Sequence, residues 1–364
     1  MKKIFIILIS ILVALIIIMF LFLYLYLNKE RNDIVSTKSN IDLVLSLEDK
    51  ISDNAAWCGT FNLLWNDLKN DLVKQDIVFT PQIKLVENLN KGTFDTSNIL
   101  EDSYYKIYGT PSYDLKNKIK KDIKLKFNET SDILDDFDFE NSSDEDYFLY
   151  SMLKKDFEFP KVFTRLKNDK FGKYTNVKYF GIDNSTKSAV MDQVEVLYYN
   201  SSTNFAIKLI TKSNDEVIIS RGNEGDNFYD IYIKIDEDSK QYTGNKSIIK
   251  GEKVKIPDIN LNVIAELKEI EQKPFLFADG RQYVISKALQ TIKFSLDEKG
   301  GKIKSEAGMM VNKASAMEDV KQKRDFVVND TFFIFLKEKD KTLPYFAAKI
   351  SDISKVQSNI TEDY

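Results

Sequence analysis

The chain has 364 residues, 43% of them apolar, and a net charge of -4. That is enough apolar material for a sizeable core, and the acidic balance, with no basic patch interleaved with aromatics, excludes a nucleic-acid-binding class. Histidine is absent, which removes Ser-His-Asp and Cys-His catalysis and every His-containing metal site.

Residues 4–27 read IFIILISILVALIIIMFLFLYLYL. This uncharged run is long enough to cross a bilayer core of about 30 Å. Lys2 and Lys3 precede it, and Tyr24 and Tyr26 lie near its far end, where aromatics favour the interface. The expectation is an uncleaved, single-pass signal anchor with residues 1–3 inside and the remainder extracytoplasmic. The alternative is a cleaved signal and a secreted chain, against which stand the length of the run and its bulky end. Residues 28–40 form a polar tether, 41–354 one folded domain and 355–364 a polar tail.

Asp42 to about Lys74 is expected to be helical, with Trp57, Phe61, Leu64, Trp65, Leu68 and Leu72 on one face at helical spacing. The lone Cys58 has two readings, a small buried apolar residue or a reactive thiol. Ser112–Phe127 reads as a helix with Leu115, Ile119 and Ile123 in register and a solvated lysine face. The acidic run Asp132–Asp146 lacks the spacing and glycine of a calcium loop and reads as solvated.

Tyr147–Leu153 reads as a strand. Val194–Tyr199 and Phe205–Ile210 form a hairpin by period-two alternation. Ala288–Leu296 is a strand with Ile292, Phe294 and Leu296 on its buried face, followed by turn chemistry over Asp297–Gly301. Some 25 polar and small residues follow. Then Phe332–Leu336 and Tyr345–Ala348 make a buried hairpin.

Strand, Asp-Glu-Lys-Gly, long loop, Phe-rich strand and Leu-Pro-Tyr-Phe-Ala together resemble the C-terminal quarter of a serpin. Further parts of the chain are similar to that family in order and spacing. Ile77-Val78-Phe79-Thr80-Pro81 resembles its opening Phe-Ser-Pro. Phe157–Phe163 with Val177–Phe180 resembles a central strand entering its crossover, and the hairpin at 194–210 resembles one in its second sheet. Lys253–Ile259, with Leu267 and Ile270, resembles a Pro-containing strand and the helix after it. The resemblance implies an α+β, serpin-like multi-sheet fold with N-terminal helices, shortened over 82–146 and preceded by one transmembrane helix. The lysine-, asparagine- and isoleucine-rich composition resembles that of low-GC bacteria.

It also implies a function. A serpin displays a reactive loop, a protease cuts it, and the freed arm inserts into the large sheet as a strand. The partner would be a target protease; no enzyme activity, cofactor or metal is implied. The hinge would comprise Glu298, Gly300, Gly301, Ile303, Ser305 and Ala307. Gly301, Ile303, Ser305, Ala307 and Met309 alternate with Lys302, Lys304, Glu306 and Gly308, a pattern suited to a strand with one solvated face, either one that inserts on cleavage or one that already sits in the sheet as a permanent strand. The family's run of small residues is absent. The scissile bond would fall among Lys313, Ala314, Ser315, Ala316 and Met317; a lysine there suits a trypsin-like protease, alanine or methionine an elastase-like one. Two readings of another class stay open. One is a non-inhibitory binding or structural module of the cell envelope. The other is a two-carboxylate hydrolase, for which no Asp/Glu pair stands out.

Overall fold

A computed structural model describes residues 41–302 and 323–362, apart from positions 142, 144 and 359. The expected membrane anchor therefore lies outside the described residues, as do the hinge positions from Ile303 onward and the candidate scissile region. Among the described residues no helix is long and apolar enough to cross a membrane.

The fold is α+β, with several sheets and few helices. The expected helix from Asp42 to Lys74 is only half right. Asp42–Leu43 (β1) and Asn54–Cys58 (β2) are strands, and the helix begins at Thr60. Ala55, Ala56 and Trp57 are buried. A strand buried on both faces has no polar alternation to betray it. Helix α1 spans Thr60–Asp67 and runs on as a π-helical turn over Leu68–Val73. Lys84–Asn90 (α2) and strand Tyr104–Gly109 (β3) follow.

Tyr113–Phe127 (α3) forms as expected. The Ser112 hydroxyl caps it by accepting from the Leu115 amide at 3.1 Å, the side-chain cap a helix start needs. Ile119 and Ile123 are buried, and Asn128 ends the helix at φ +56. Ile119 and Ile123 pack with Phe148 and Tyr150 of Phe148–Leu153 (β4), which pairs with β3; Asp156–Glu158 (β5) follows. Tyr179–Ile182 is β6.

Three strands continue the large sheet: Val194–Ser201 (β7), Asn204–Ile210 (β8) and Asp215–Arg221 (β9). Helix α4, Phe228–Gln241, packs Phe228 edge-on against Phe335 with ring centroids 6.2 Å apart. Lys253–Pro257 (β10) pairs with β6. The segment after it is a correction. Ile259–Glu266 is a strand (β11), not the approach to a helix. Ile259, Leu261 and Val263 are buried while Asn260 and Asn262 are exposed, the alternation of a one-sided strand. Leu267 and Ile270, placed in that helix by the resemblance, sit in a buried turn.

Leu289–Asp297 (β12), Gly300–Lys302 (β13), Asp325–Val327 (β14), Phe332–Glu338 (β15) and Phe346–Ile350 (β16) complete the set. Seven strands form the largest sheet in the order β1-β2-β16-β15-β9-β8-β7. Both hairpins read from the sequence are there, β7 with β8 and β15 with β16. Residues past Ile353 dock on the body, with Thr361–Glu362 pairing Tyr174–Thr175.

Candidate functional site

The site is a gap between two strands that belong together. Strand β13 pairs antiparallel with β12, Asp297 opposite Gly300 through Ser295 opposite Lys302. It pairs antiparallel on its other side with β5, Glu158 opposite Gly300 through Asp156 opposite Lys302. Strands β5 and β12 therefore run parallel with β13 wedged between them. Lys302 is the last described residue of β13. Among the described residues strand β4, which leads through Lys154 and Lys155 into β5, pairs only with β3, and the lower part of β12 pairs only with β11. Phe148–Leu153 and Leu289–Phe294 line a slot between them. The cavity there measures about 880 Å³. Its walls are β4 and β12, and Thr60, Phe61, Leu64 and Trp65 of α1 lie along its floor.

The expected hinge residues that are described stand at the slot's mouth. The turn is tighter than the sequence implied: only Glu298 and Lys299 turn, while Gly300 and Gly301 are already strand. Glycine is required there for steric reasons. Gly300 has φ +152, and a Cβ on it would lie 2.1 Å from the Phe157 carbonyl oxygen. A Cβ on Gly301 would lie 2.3 Å from the Phe157 ring. Only a residue without a Cβ accepts such backbone approach. Glu298 pairs with Arg165, whose guanidinium also grips both oxygens of Asp258 at 2.6 and 2.7 Å. Burial raises the Asp258 pKa despite Arg165.

Both lips of the slot are tied to one residue below. The Ser151 hydroxyl of β4 donates to the Thr60 carbonyl at 2.8 Å. The Gln290 amide of β12 donates to the Thr60 hydroxyl at 3.0 Å and to the Cys58 carbonyl at 3.1 Å. The Gln290 Oε1 is buried without a partner among the described residues. An orphaned buried acceptor is costly, and this one belongs to a slot-lining residue. Cys58 is buried, and burial pushes its thiol up, which favours the structural over the reactive reading.

At the fork where β4 leaves β5, two lysines are buried. Lys154 donates to the Phe127 carbonyl at 3.2 Å and pairs with Glu129. Lys155 pairs with Asp215 and, at 2.5 Å, with Glu338. Tyr345 and Ser213 hydroxyls donate to Asp215, and the Leu100 amide and Ser103 hydroxyl to Glu338. Burial, then Asp215, hold the Tyr345 phenol well above its ordinary range. Every member is bonded, the condition for a buried ionic network to persist. It fastens the slot's lip to the ends of β9 and β15 in the large sheet.

The chain reappears at Lys323, where Arg324 anchors it. The guanidinium donates to both oxygens of buried Glu252 (2.7 and 2.9 Å), to the Asn245 and Ser247 carbonyls (2.6 and 2.8 Å) and to the Tyr242 hydroxyl (3.1 Å). None of Thr60, Ser151, Gln290, Lys155 or Arg324 is singled out by local sequence. Buried lysine is the one unusual feature, and burial is not legible in a charged run. The acidic loop is partly tied down: Asp135 pairs with Lys116 and Lys120, and Asp132 with Lys293 of β12 at 2.9 Å. Among the described residues no Asp/Glu/Cys group could hold a metal.

No known family model matches this chain, and no curated protein matches it. Solved structures with similarity to it include a thyroxine-binding globulin complex with thyroxine, with TM-score 0.39, 12% identity, 65% of this chain and 64% of that one covered. Serpin48 of the insect Tenebrio molitor gives TM-score 0.34 and 18% identity over 65% of each chain. SRPN18 of Anopheles gambiae gives 0.38 and 13%, again over 65% of each. The chain spans just under two thirds of the length of each of these structures.

Proposed function

We propose that this chain is a serpin-type suicide-substrate inhibitor of serine or cysteine proteases, a divergent bacterial member held on the outer face of the cell membrane by residues 4–27. The observation that carries the reading is the slot. Two strand edges with no partner on that side among the described residues line it, and Gly300–Lys302 enter its mouth, immediately before the segment read from the sequence as a reactive loop. Were both registers to continue past Lys302 on insertion, Ile303 would come beside Phe294 and Lys155, Ser305 beside Ile292 and Leu153, and Ala307 beside Gln290 and Ser151. Phe294, Ile292 and Gln290 are the buried residues of β12. The alternation Gly301, Ile303, Ser305, Ala307 therefore matches the slot's inner face.

A protease cutting near 313–317 would free this arm while still acylated. Each ladder bond is worth about 0.5–1.5 kcal/mol net. Six residues paired on both sides make about twelve such bonds, on the order of 6–18 kcal/mol, against about 1–2 kcal/mol per residue for ordering the backbone. The second reading, a non-inhibitory envelope module, draws on Ile303, a bulky β-branched residue where rapid entry favours small ones.

The test uses the full chain in mild detergent with a panel of serine and cysteine proteases. A gel-stable adduct and a large rise in Tm on nicking are expected. Clean cleavage with no adduct and an unchanged Tm would overturn inhibition and leave the envelope module.

A further inference from the structure

The cavity flanked by β4 and β12 measures about 880 Å³, within the range of about 300–1,000 Å³ that small organic ligands occupy. The loop after α3 bridges its two walls. Leu134 packs with Phe148 and Tyr150 of β4. Asp132 pairs with Lys293 at 2.9 Å, and the Asp136 carbonyl accepts from Lys287 at 3.0 Å. One end of the cavity is aromatic. The hairpin of Pro274–Leu276 with Gln282–Val284 brings Phe277 and Tyr283 into a stack at 4.1 Å, with Tyr147 at 6.0 Å from each. Trp65 and Phe275 also line the cavity. Ala288 packs in one cluster with both.

Gln290 supplies the polar feature. It is 4% exposed, and both of its amide hydrogens are committed, to the Thr60 hydroxyl and the Cys58 carbonyl. A flipped amide would set its oxygen against that carbonyl, so this network fixes the orientation. Oε1 is therefore a buried acceptor held in place, with no partner among the described residues. Such an atom is costly unless something donates to it. Ala288 lies two residues away on the same face, so the acceptor and the aromatic wall are about 7 Å apart along the strand, the span of a two-ring molecule. Six carboxylates line the cavity against four lysines, an excess that opposes an anion. We propose that this cavity binds a flat, uncharged aromatic molecule that packs against the aromatic end and donates one N–H or O–H hydrogen bond to Gln290 Oε1. Binding needs neither cleavage of the chain nor any residue after Lys302.

The probe is naphthaleneacetamide, titrated by calorimetry into the full, uncleaved chain in mild detergent, with protein-free micelles as the background. The amide should bind and raise Tm by mass action. Its N,N-dimethylamide has no donor and should bind about three- to tenfold more weakly, the effect of one lost hydrogen bond. Naphthaleneacetate carries a negative charge and should also bind more weakly than the amide. Gln290→Leu should weaken the amide by the same three- to tenfold, about one hydrogen bond, and leave the dimethylamide unchanged, a split that a general loss of structure would not give. Leu64→Trp, which fills the cavity from α1, should remove binding of all the probes. The probe series on the wild type decides the matter even where Gln290→Leu does not fold. An amide that does not bind, an amide and dimethylamide bound equally, or binding that survives Leu64→Trp would overturn the proposal.

Discussion

Replacing Lys155 by methionine is the sharpest test of the structure. The side chain is 3% exposed and meets two carboxylates, Asp215 at 4% and Glu338 at 0% exposure. Methionine keeps an unbranched stem but removes the ammonium, which lies over the Tyr345 ring at 4.8 Å from the centroid. What also disappears is the one positive charge that, among the described residues, pairs with both acids. Each then loses one charge-assisted hydrogen bond, about 1.5–3 kcal/mol apiece, or roughly 3–6 kcal/mol together. That agrees with about 3–5 kcal/mol for breaking a buried pair by removing one partner. K155M should therefore lose about 4 kcal/mol, a large share of the about 5–15 kcal/mol of a typical domain. The assay is urea unfolding of both full-length proteins in the same detergent, read by tryptophan fluorescence. The K155M/D215N/E338Q triple variant, which removes all three charges, should recover at least half of the loss. A loss below about 1 kcal/mol for K155M alone would refute the claim that Lys155 pins the fork to the large sheet.

Gly300→Ala should cost about 2–3 kcal/mol, combining a strained φ with a backbone clash against Phe157; unaltered urea stability would show that the mouth does not hold β13 as described. On the register proposed for the inserted arm, Ala307→Ser would bring a donor opposite the Gln290 Oε1, and the nicked form should gain on the order of 1 kcal/mol; an unchanged Tm of the nicked variant would argue against this register. Burial raises the Cys58 thiol above its ordinary 9.0, so at pH 8 less than about a tenth is thiolate. Folded protein should therefore resist alkylation at pH 8 and react only on unfolding, and rapid labelling would contradict its burial. The linkage sign follows: protonation favours the folded state, so this stabilising contribution is complete below about pH 9 and declines as pH rises through the higher folded value.

Helix α3 shows what local sequence could determine. Ser112, the Leu115–Ile119–Ile123 spacing and Asn128 specify a start, a buried face and a stop, because capping and amphipathicity act within a few residues. The one-sided strand β12 and the two hairpins were legible for the same reason, since period-two alternation is a local record of burial. Strand β2 and strand β11 were not read. The first is buried on both sides and carries no alternation; the second does alternate at Ile259, Leu261 and Val263, but the resemblance puts a helix after Lys253–Ile259. The slot lay further out of reach. It exists because β5 and β12 hold β13 between them while β4 and the lower half of β12 stand apart, a relation among residues more than a hundred positions apart. The pins around it, Thr60 with Ser151 and Gln290, and Lys155 with Asp215 and Glu338, are pairings of ordinary residue types. By itself the amino-acid sequence determined which segments bury a face and where a loop begins. Only tertiary structure decided that β4 and β12 flank one slot at that loop's foot, because hydrogen-bond pairing between distant strands leaves no mark on the composition of either.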